Sequence, residues 1–409
     1  MTACTGSYSD HIRRSTEGKL ITAANASHSG RVKTALPTDG TIMGTTQGAA
    51  VISHADVARW RLRSQLLVIP HAASAREVVR SLLAVQAENP NQAAWAVASR
   101  TANPDPDDLA TLLDDGTVVR THVLRPTWHF VAAEDYGWLL DLTGPRVRRV
   151  TGHQLRNTFG LDESSIDRAT AAVLAAVTDR GRLTRAQLAD EVRDRGIQGD
   201  RLMLMILLAH VELNGLICSG GFVRGEHTYA LTSERLPAPP RRDRAEALAE
   251  LALRYFTGHG PATIRDLVYW ASLTVTDARA GLEQVRDRLD SFDYDGRTFW
   301  HAPGDPPRGP QKPAAHLLQI LDETYRGYQD SRWMLDAAGK VPRGREPATG
   351  MALVDGQLLA TVRRTIAPDH VRFDVRPYQT LTPAQIRDLE KAARRYGEFL
   401  RLDSRLAVD

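Results

Sequence analysis

An amide and a carboxylate two residues apart, Gln86 and Glu88, stand in the run Gln86-Ala87-Glu88-Asn89-Pro90. On a helix, residues i and i+2 face apart. Pro90, however, pushes the backbone before it toward extended angles, and there alternate side chains point to one side. Such a pair suits hydrolysis of a glycosidic bond: Glu88 can orient and deprotonate a water and stabilise an oxocarbenium-like sugar, while Gln86 positions that water. A helix beginning at Pro90 adds free N–H groups and a positive dipole end, which favour an ionised Glu88. The same residues also read as helix-end polarity, with Glu88 or Asn89 capping the helix that follows.

Two helices must hold this pair. Ser74-Ala75-Arg76-Glu77 has the capping-box pattern and precedes Val78, Val79, Leu82 and Leu83, which predicts a helix ending near Gln86. Asn89 then caps a second helix with Pro90 in its first position and Ala93, Ala94 and Val97 inside. Upstream, Ser53-His54-Ala55-Asp56 opens a helix containing Val57, Trp60 and Leu62. Downstream, Val118 to Val131 alternates like a strand and is interrupted by Pro126, so a two-stranded ribbon is expected. It carries Arg120, His122, Arg125 and His129, candidates for holding phosphates or entering a groove. The two histidines read equally as hydrogen-bonded structural residues, and Trp128 and Phe130 as core.

The middle of the chain has winged-helix grammar twice over. Ile166 to Val177, a capped helix after Thr184, and Leu202 to Leu213 are followed by short strands around Leu216-Ile217-Cys218, Phe222-Val223 and Thr228 to Leu231. Ala245 to Phe256, a helix capped at Thr263 and Asp277 to Leu289 then precede a hairpin about Asp295-Gly296. The third helix of the first unit is apolar almost all round, which marks it as scaffold rather than a base-reading helix. Its counterpart carries Arg279, Glu283, Arg286 and Arg288, which read as a solvated face. Between the glycines Gly258 and Gly260, His259 is a turn fixture or a phosphate contact. After the proline-rich stretch Pro303 to Pro313, strands flanking Asp355-Gly356, a strand Val371 to Arg376 and a terminal helix from Thr382-Pro383 make a small β-rich module. There Arg363-Arg364, at a strand end, is a candidate phosphate contact or a solvated pair. The fold class is α+β, mainly α with β. The expected divisions are an extension over residues 1–52, disordered or poorly packed, a helical and ribbon region over 53–160, winged-helix units over 161–236 and 237–302, and the C-terminal module over 303–409.

Composition narrows the setting. Among the 409 residues no apolar run reaches the roughly 20 residues of a membrane span, and the N-terminus has no apolar signal-like stretch. Two cysteines, Cys4 and Cys218, allow neither a disulfide framework nor a four-cysteine zinc site, and no histidine pair has convincing metal spacing. A metal-free and cofactor-free cytoplasmic protein, working as a monomer, is expected. Net charge is only +3, yet 47 of the 52 basic residues are arginine, either for phosphate and base recognition or from a GC-rich genome. No lysine lies between Lys33 and Lys312, so no Schiff-base nucleophile is close in sequence to Gln86.

The run Leu82 to Asn91 resembles the catalytic Gln-x-Gln or Gln-x-Asp segment of the winged-helix DNA glycosylase superfamily, of the azinomycin-resistance, AlkZ-like type. Further stretches resemble it in order: Arg120 to His129, Gly258 to Thr263 leading into Tyr269-Trp270, Leu321-Asp322-Glu323 with Gly327-Tyr328, and Val354-Asp355-Gly356. The resemblance covers about Ser53 to the C-terminus. It implies tandem winged helices and a β-barrel-like module, C-shaped around a DNA cleft, and Gln86 and Glu88 as catalytic residues. It also implies action on double-stranded DNA carrying N7-alkylguanine-type adducts or crosslinks, in repair or in genotoxin self-resistance. The alkylated base is cationic and leaves readily, so no second acid is required. Glu88 departs from the family's best-known patterns, which have Gln or Asp there, so lesion preference does not carry over. Together with the missing lysine, a monofunctional glycosylase without lyase activity is expected. The rival expectation is a winged-helix DNA-binding protein or regulator without catalysis.

Overall fold

A computed structural model describes residues 52–223, 225–237, 242–304, 306, 314–342, 344 and 347–409. The expected extension, and most of the proline-rich stretch, lie outside the described residues. Helix α1 (His54–Ser64) starts at Ser53, whose side chain and that of Asp56 cap each other's backbone N–H groups, and it buries Val57, Trp60 and Leu62. Helix α2 (Ala75–Leu82) is capped by Ser74 and ends four residues before Gln86, because Leu83 turns to φ +65°. The chain then runs extended as β1 (Val85–Gln86), and helix α3 (Pro90–Ala98) begins behind Asn89, whose side chain accepts from the Gln92 N–H. The predicted helix is shorter than expected because tertiary pairing wins: Val85 lies opposite Phe130 and Gln86 opposite His129 on the next sheet strand.

Helix α4 (Pro106–Asp115) leads to β2 (Val118–His122) and β3 (Trp128–Ala132), antiparallel across the Pro126 turn, in a sheet of order β1-β3-β2. All five residues of both strands are buried. The ribbon is therefore an interior element, not a finger free to enter a groove. Helix α5 (Ala133–Asn157) packs behind it; with Pro145 inside, it was not legible as a helix.

Helix α6 (Glu163–Arg180), β4 (Leu183–Thr184), α7 (Arg185–Asp194), α8 (Arg201–Leu213) and the antiparallel pair β5 (Ile217–Val223) and β6 (Glu226–Leu231) follow in the expected order, with β4 added to the β6 edge. A single turn, α9 (Thr232–Arg235), precedes the second set: α10 (Arg244–His259), α11 (Ile264–Ala271), α12 (Val275–Val285) and the hairpin β7 (Asp290–Tyr294) and β8 (Arg297–His301). At the hairpin tip Asp295 and Gly296 both have positive φ, the geometry a two-residue turn requires. Gly258 permits α10 to lie against α2, since a Cβ there would stand 2.4 Å from the Ser81 carbonyl oxygen.

The C-terminal module is an open five-stranded sheet of order β13-β12-β11-β10-β9, made of β9 (Ala315–Gln319), β10 (Gly350–Val354), β11 (Gln357–Ile366), β12 (His370–Pro377) and β13 (Asp403–Val408). It corrects the barrel-like expectation. Its two edge strands are β13 and β9, and among the described residues they do not pair to close a barrel. The short helix α13 (Glu323–Arg326) follows β9, and α14 (Pro383–Leu400) covers one face, with Leu389, Ala393, Tyr396 and Phe399 in the core.

One polar contact in the interior ties these parts together. Arg100, just past α3, makes a bidentate pair with Asp322 at 2.8 and 2.9 Å, and both side chains are fully buried. Removing one partner from such a pair leaves an uncompensated charge, at a typical cost of about 3–5 kcal/mol. Asp322 also caps α13. The pair thereby holds the next residue, Glu323, against the Gln86 segment.

Candidate active site

Gln86 is nearly buried on β1, and its backbone is fixed from both sides. One side pairs with β3; on the other, its N–H donates to Glu323 Oε1 at 3.0 Å. Its side-chain oxygen accepts from Arg125 Nη2 at 3.0 Å, and among the described residues its amide nitrogen donates to none. Arginine has only donors and glutamine one acceptor. The contact therefore fixes the amide with its NH2 end turned away from Arg125.

Glu88 is half-buried, and its Oε1 accepts from the Trp128 N–H at 2.9 Å. No described residue donates to its other oxygen. Asn89, not Glu88, caps α3, so the helix-end role is already filled. Arg120 locks the backbone between: Nε donates to the Ala87 carbonyl at 2.9 Å and Nη2 to the Glu88 carbonyl at 3.3 Å, while the Ala87 N–H reaches the Trp128 carbonyl at 2.7 Å. The arrangement presents a fixed donor and a carboxylate whose second oxygen has no described donor, two residues apart where the chain leaves β1 and bends into α3.

Behind Gln86 lies a buried polar layer. Glu323 Oε2 accepts from Trp270 Nε1 at 2.8 Å and faces His259 Nε2 at 3.3 Å. Burial alone would raise the Glu323 carboxyl, but the His259 hydrogen bond and charge, the Arg125 charge and the Gln86 N–H outweigh it and bring it down to about 2. His129 is held down to about 3, first by burial and then by the Arg125 charge. Its Nδ1–H donates to the Thr127 carbonyl at 2.9 Å, leaving Nε2 as an acceptor 3.4 Å from Arg125 Nη2. Arg125 also donates to the Arg326 carbonyl at 3.1 Å.

These depressed values make the fold acid-labile. The Glu323 contribution is present above the unfolded carboxyl value of 4.5 and is lost as pH falls toward 2. Unfolded histidine takes a proton near 6.5, which folded His129 and His316 refuse until about 3, so stability also declines with pH below 6.5. A falling melting temperature between about pH 7 and pH 4 is expected in calorimetry; a flat profile over that range would contradict it.

The sequence candidates for DNA contact divide. Arg120, His122, Arg125, His129 and His259 are all buried. Arg120 stacks over Trp128 at 4.0 Å. His122 Nδ1 lies 2.5 Å from Oε2 of fully buried Glu212, whose carboxyl is raised by burial against the pull of His122. His259 stacks on Tyr255 at 4.8 Å and has no exposed surface to offer a phosphate. These residues build the wall behind the motif. Arg363 and Arg364 stand apart from the motif on β11: Arg363 is exposed, and Arg364 donates to the Tyr396 hydroxyl. Glu323, Trp270 and Asp322 were missed as site residues. The signal available was two adjacent acids after the apolar strand Leu317-Leu318, a place where unpaired charge is costly.

A sequence profile described as "DNA glycosylase AlkZ-like" matches residues 79–399, which include the motif, the buried layer and most of the C-terminal sheet. A protein of Streptomyces sahachiroi named interstrand DNA cross-link repair glycosylase is 28% identical over 258 residues, 58% of this chain; the match spans 66% of that relative, just under two thirds of its length. The solved structure of Streptomyces sahachiroi DNA glycosylase AlkZ has a TM-score of 0.68 at 21% identity, covering 88% of this chain and 100% of the other, which shows a shared fold. No helix among the described residues is long and apolar enough to cross a membrane. With residues 79–399 inside the profile, the chain belongs to the AlkZ-like DNA glycosylase family.

Proposed function

We propose that this protein is a monofunctional DNA glycosylase that hydrolyses the N-glycosidic bond of an alkylated purine of the N7-alkylguanine type in duplex DNA. Crosslinked duplexes are within its range, as the name of its Streptomyces relative suggests. In this reading the helix sets α6–α8 and α10–α12 with their hairpins are winged helices that scaffold the motif, within the domain divisions expected from sequence. The observation that carries the proposal is that Glu88 keeps one oxygen without a described donor, two residues from a Gln86 amide whose oxygen is held by Arg125. Gln86 Nε2 donates to a lone pair of the water, whose proton faces Glu88. The water oxygen attacks C1′, the C1′–N9 bond breaks, its electron pair neutralises the cationic base, and Glu88 takes the proton. No lysine is needed at any step, and a lyase reaction has no nucleophile near Gln86 in sequence.

The test is incubation with duplexes carrying simple, bulky and crosslinking N7-guanine adducts. Released base with an intact strand, nicked only after heat or alkali, is expected. Binding without release from any adduct would favour a DNA-binding regulator, and nicking without that treatment would overturn the monofunctional reading.

A further inference from the structure

Between α3 and the C-terminal sheet lies a cavity of about 190 Å³, lined among others by Gln92, Gln319, Thr349, Arg363, Arg364 and Tyr396. At liquid density it has room for about six waters. No carboxylate lines it. Arg363, exposed, and Arg364, half-buried, make no ion pair with a described residue; among those residues the Arg364 guanidinium is held by the neutral Tyr396 hydroxyl and ring. In its wall, Gln319 is 5% exposed, and its Nε2 is buried without a hydrogen-bond partner. Uncompensated cations and an unsatisfied buried donor are both relieved by an anionic acceptor. Gln92, with no described partner for its side chain, adds an amide to the set.

The cavity also has a fixed relation to the motif. Gln92 sits in the first turn of α3, whose cap immediately follows Glu88. Gln92 lies four residues past Glu88, and the helix begins only at Pro90, so the span is at most about 14 Å, no more than about four nucleotide steps of about 3.4 Å each. We propose that this cavity seats a backbone phosphate of the damaged strand, within about four nucleotides of the lesion, and so sets the register in which the sugar meets Glu88. This rests on the glycosylase reading for the position of the lesion, but not for the phosphate chemistry itself.

The test scans single neutral methylphosphonates along a duplex containing a stable abasic-site analogue and measures binding against salt. For the unmodified duplex, the Arg363→Gln/Arg364→Gln double variant is expected to lower the salt slope by about 0.9, one phosphate's worth, and each single variant by part of that. In the wild type, one methylphosphonate within about four nucleotides of the lesion should weaken binding several-fold, and in the double variant that position should have no further effect. Unchanged slopes, or loss spread evenly over all positions, would overturn the proposal. So would inorganic phosphate binding that depends on Arg363 while the DNA slope does not, since the site would then serve the free anion. Because the readout is binding, absence of base release from every adduct would sink the glycosylase reading alone.

Discussion

Glu88→Ala is expected to lower the single-turnover rate of base release by about 10²- to 10⁴-fold, the usual contribution of a positioned general base. Binding of the damaged duplex should change little, because Glu88 presents one carboxylate oxygen and no cation. The fold should also persist: α3 is capped by Asn89, and Arg120 continues to hold the Ala87 and Glu88 carbonyls. Glu88→Gln asks a finer question. It keeps an oxygen for the Trp128 N–H and recreates the family's Gln-x-Gln pattern, but it puts an amide where the second oxygen stood. Glu88 acting as the base requires the Gln variant to fall with the Ala variant. A Gln variant within about tenfold of wild type, beside an impaired Ala variant, would reassign Glu88 from base to positioner. A wild-type rate in the Ala variant would remove the site altogether.

What the sequence made legible was what is decided within a few residues. The caps at Ser53, Asn89, Thr263 and Thr382, and the turns at Asp295-Gly296 and Asp355-Gly356, are local hydrogen bonds and local φ preferences. Helix α5 escaped because Gly137, Gly144, Pro145 and Gly152 lower its intrinsic propensity; burial of Tyr136, Leu139, Leu140 and Val147 decides in its favour. Strand β13 escaped because it pairs in parallel with β12 across the whole of α14. The motif itself was visible, but its supports were not. Glu323 stands 237 positions from Gln86. The basic residues of the ribbon looked like phosphate ligands because nothing in their alternation reveals that both faces of β2 and β3 are covered. Arg120 and Arg125, placed inward, act on Gln86 and its neighbours instead.

That inward placement gives the second large expected effect. Gln86→Glu should reduce base release by about 10²-fold while leaving the folded state as stable as wild type or more so. A carboxylate at 86 still accepts from Arg125, now as a charge-assisted bond, and the backbone N–H remains on Glu323. What disappears is the donor: both ends of the side chain are acceptors, one of them facing the lone pairs of the water that Gln86 is proposed to hold. A second negative charge beside Glu88 would also raise the Glu88 carboxyl, so the residual activity should need a higher pH than the wild type does. Thermal unfolding and a pH–rate profile on one adduct measure both consequences. Were Gln86 instead an acceptor or a proton relay, the carboxylate would serve as well or better. A Gln86→Glu enzyme at wild-type rate, with its pH profile unmoved, is the result that would show the amide orientation imposed by Arg125 to be irrelevant to the chemistry.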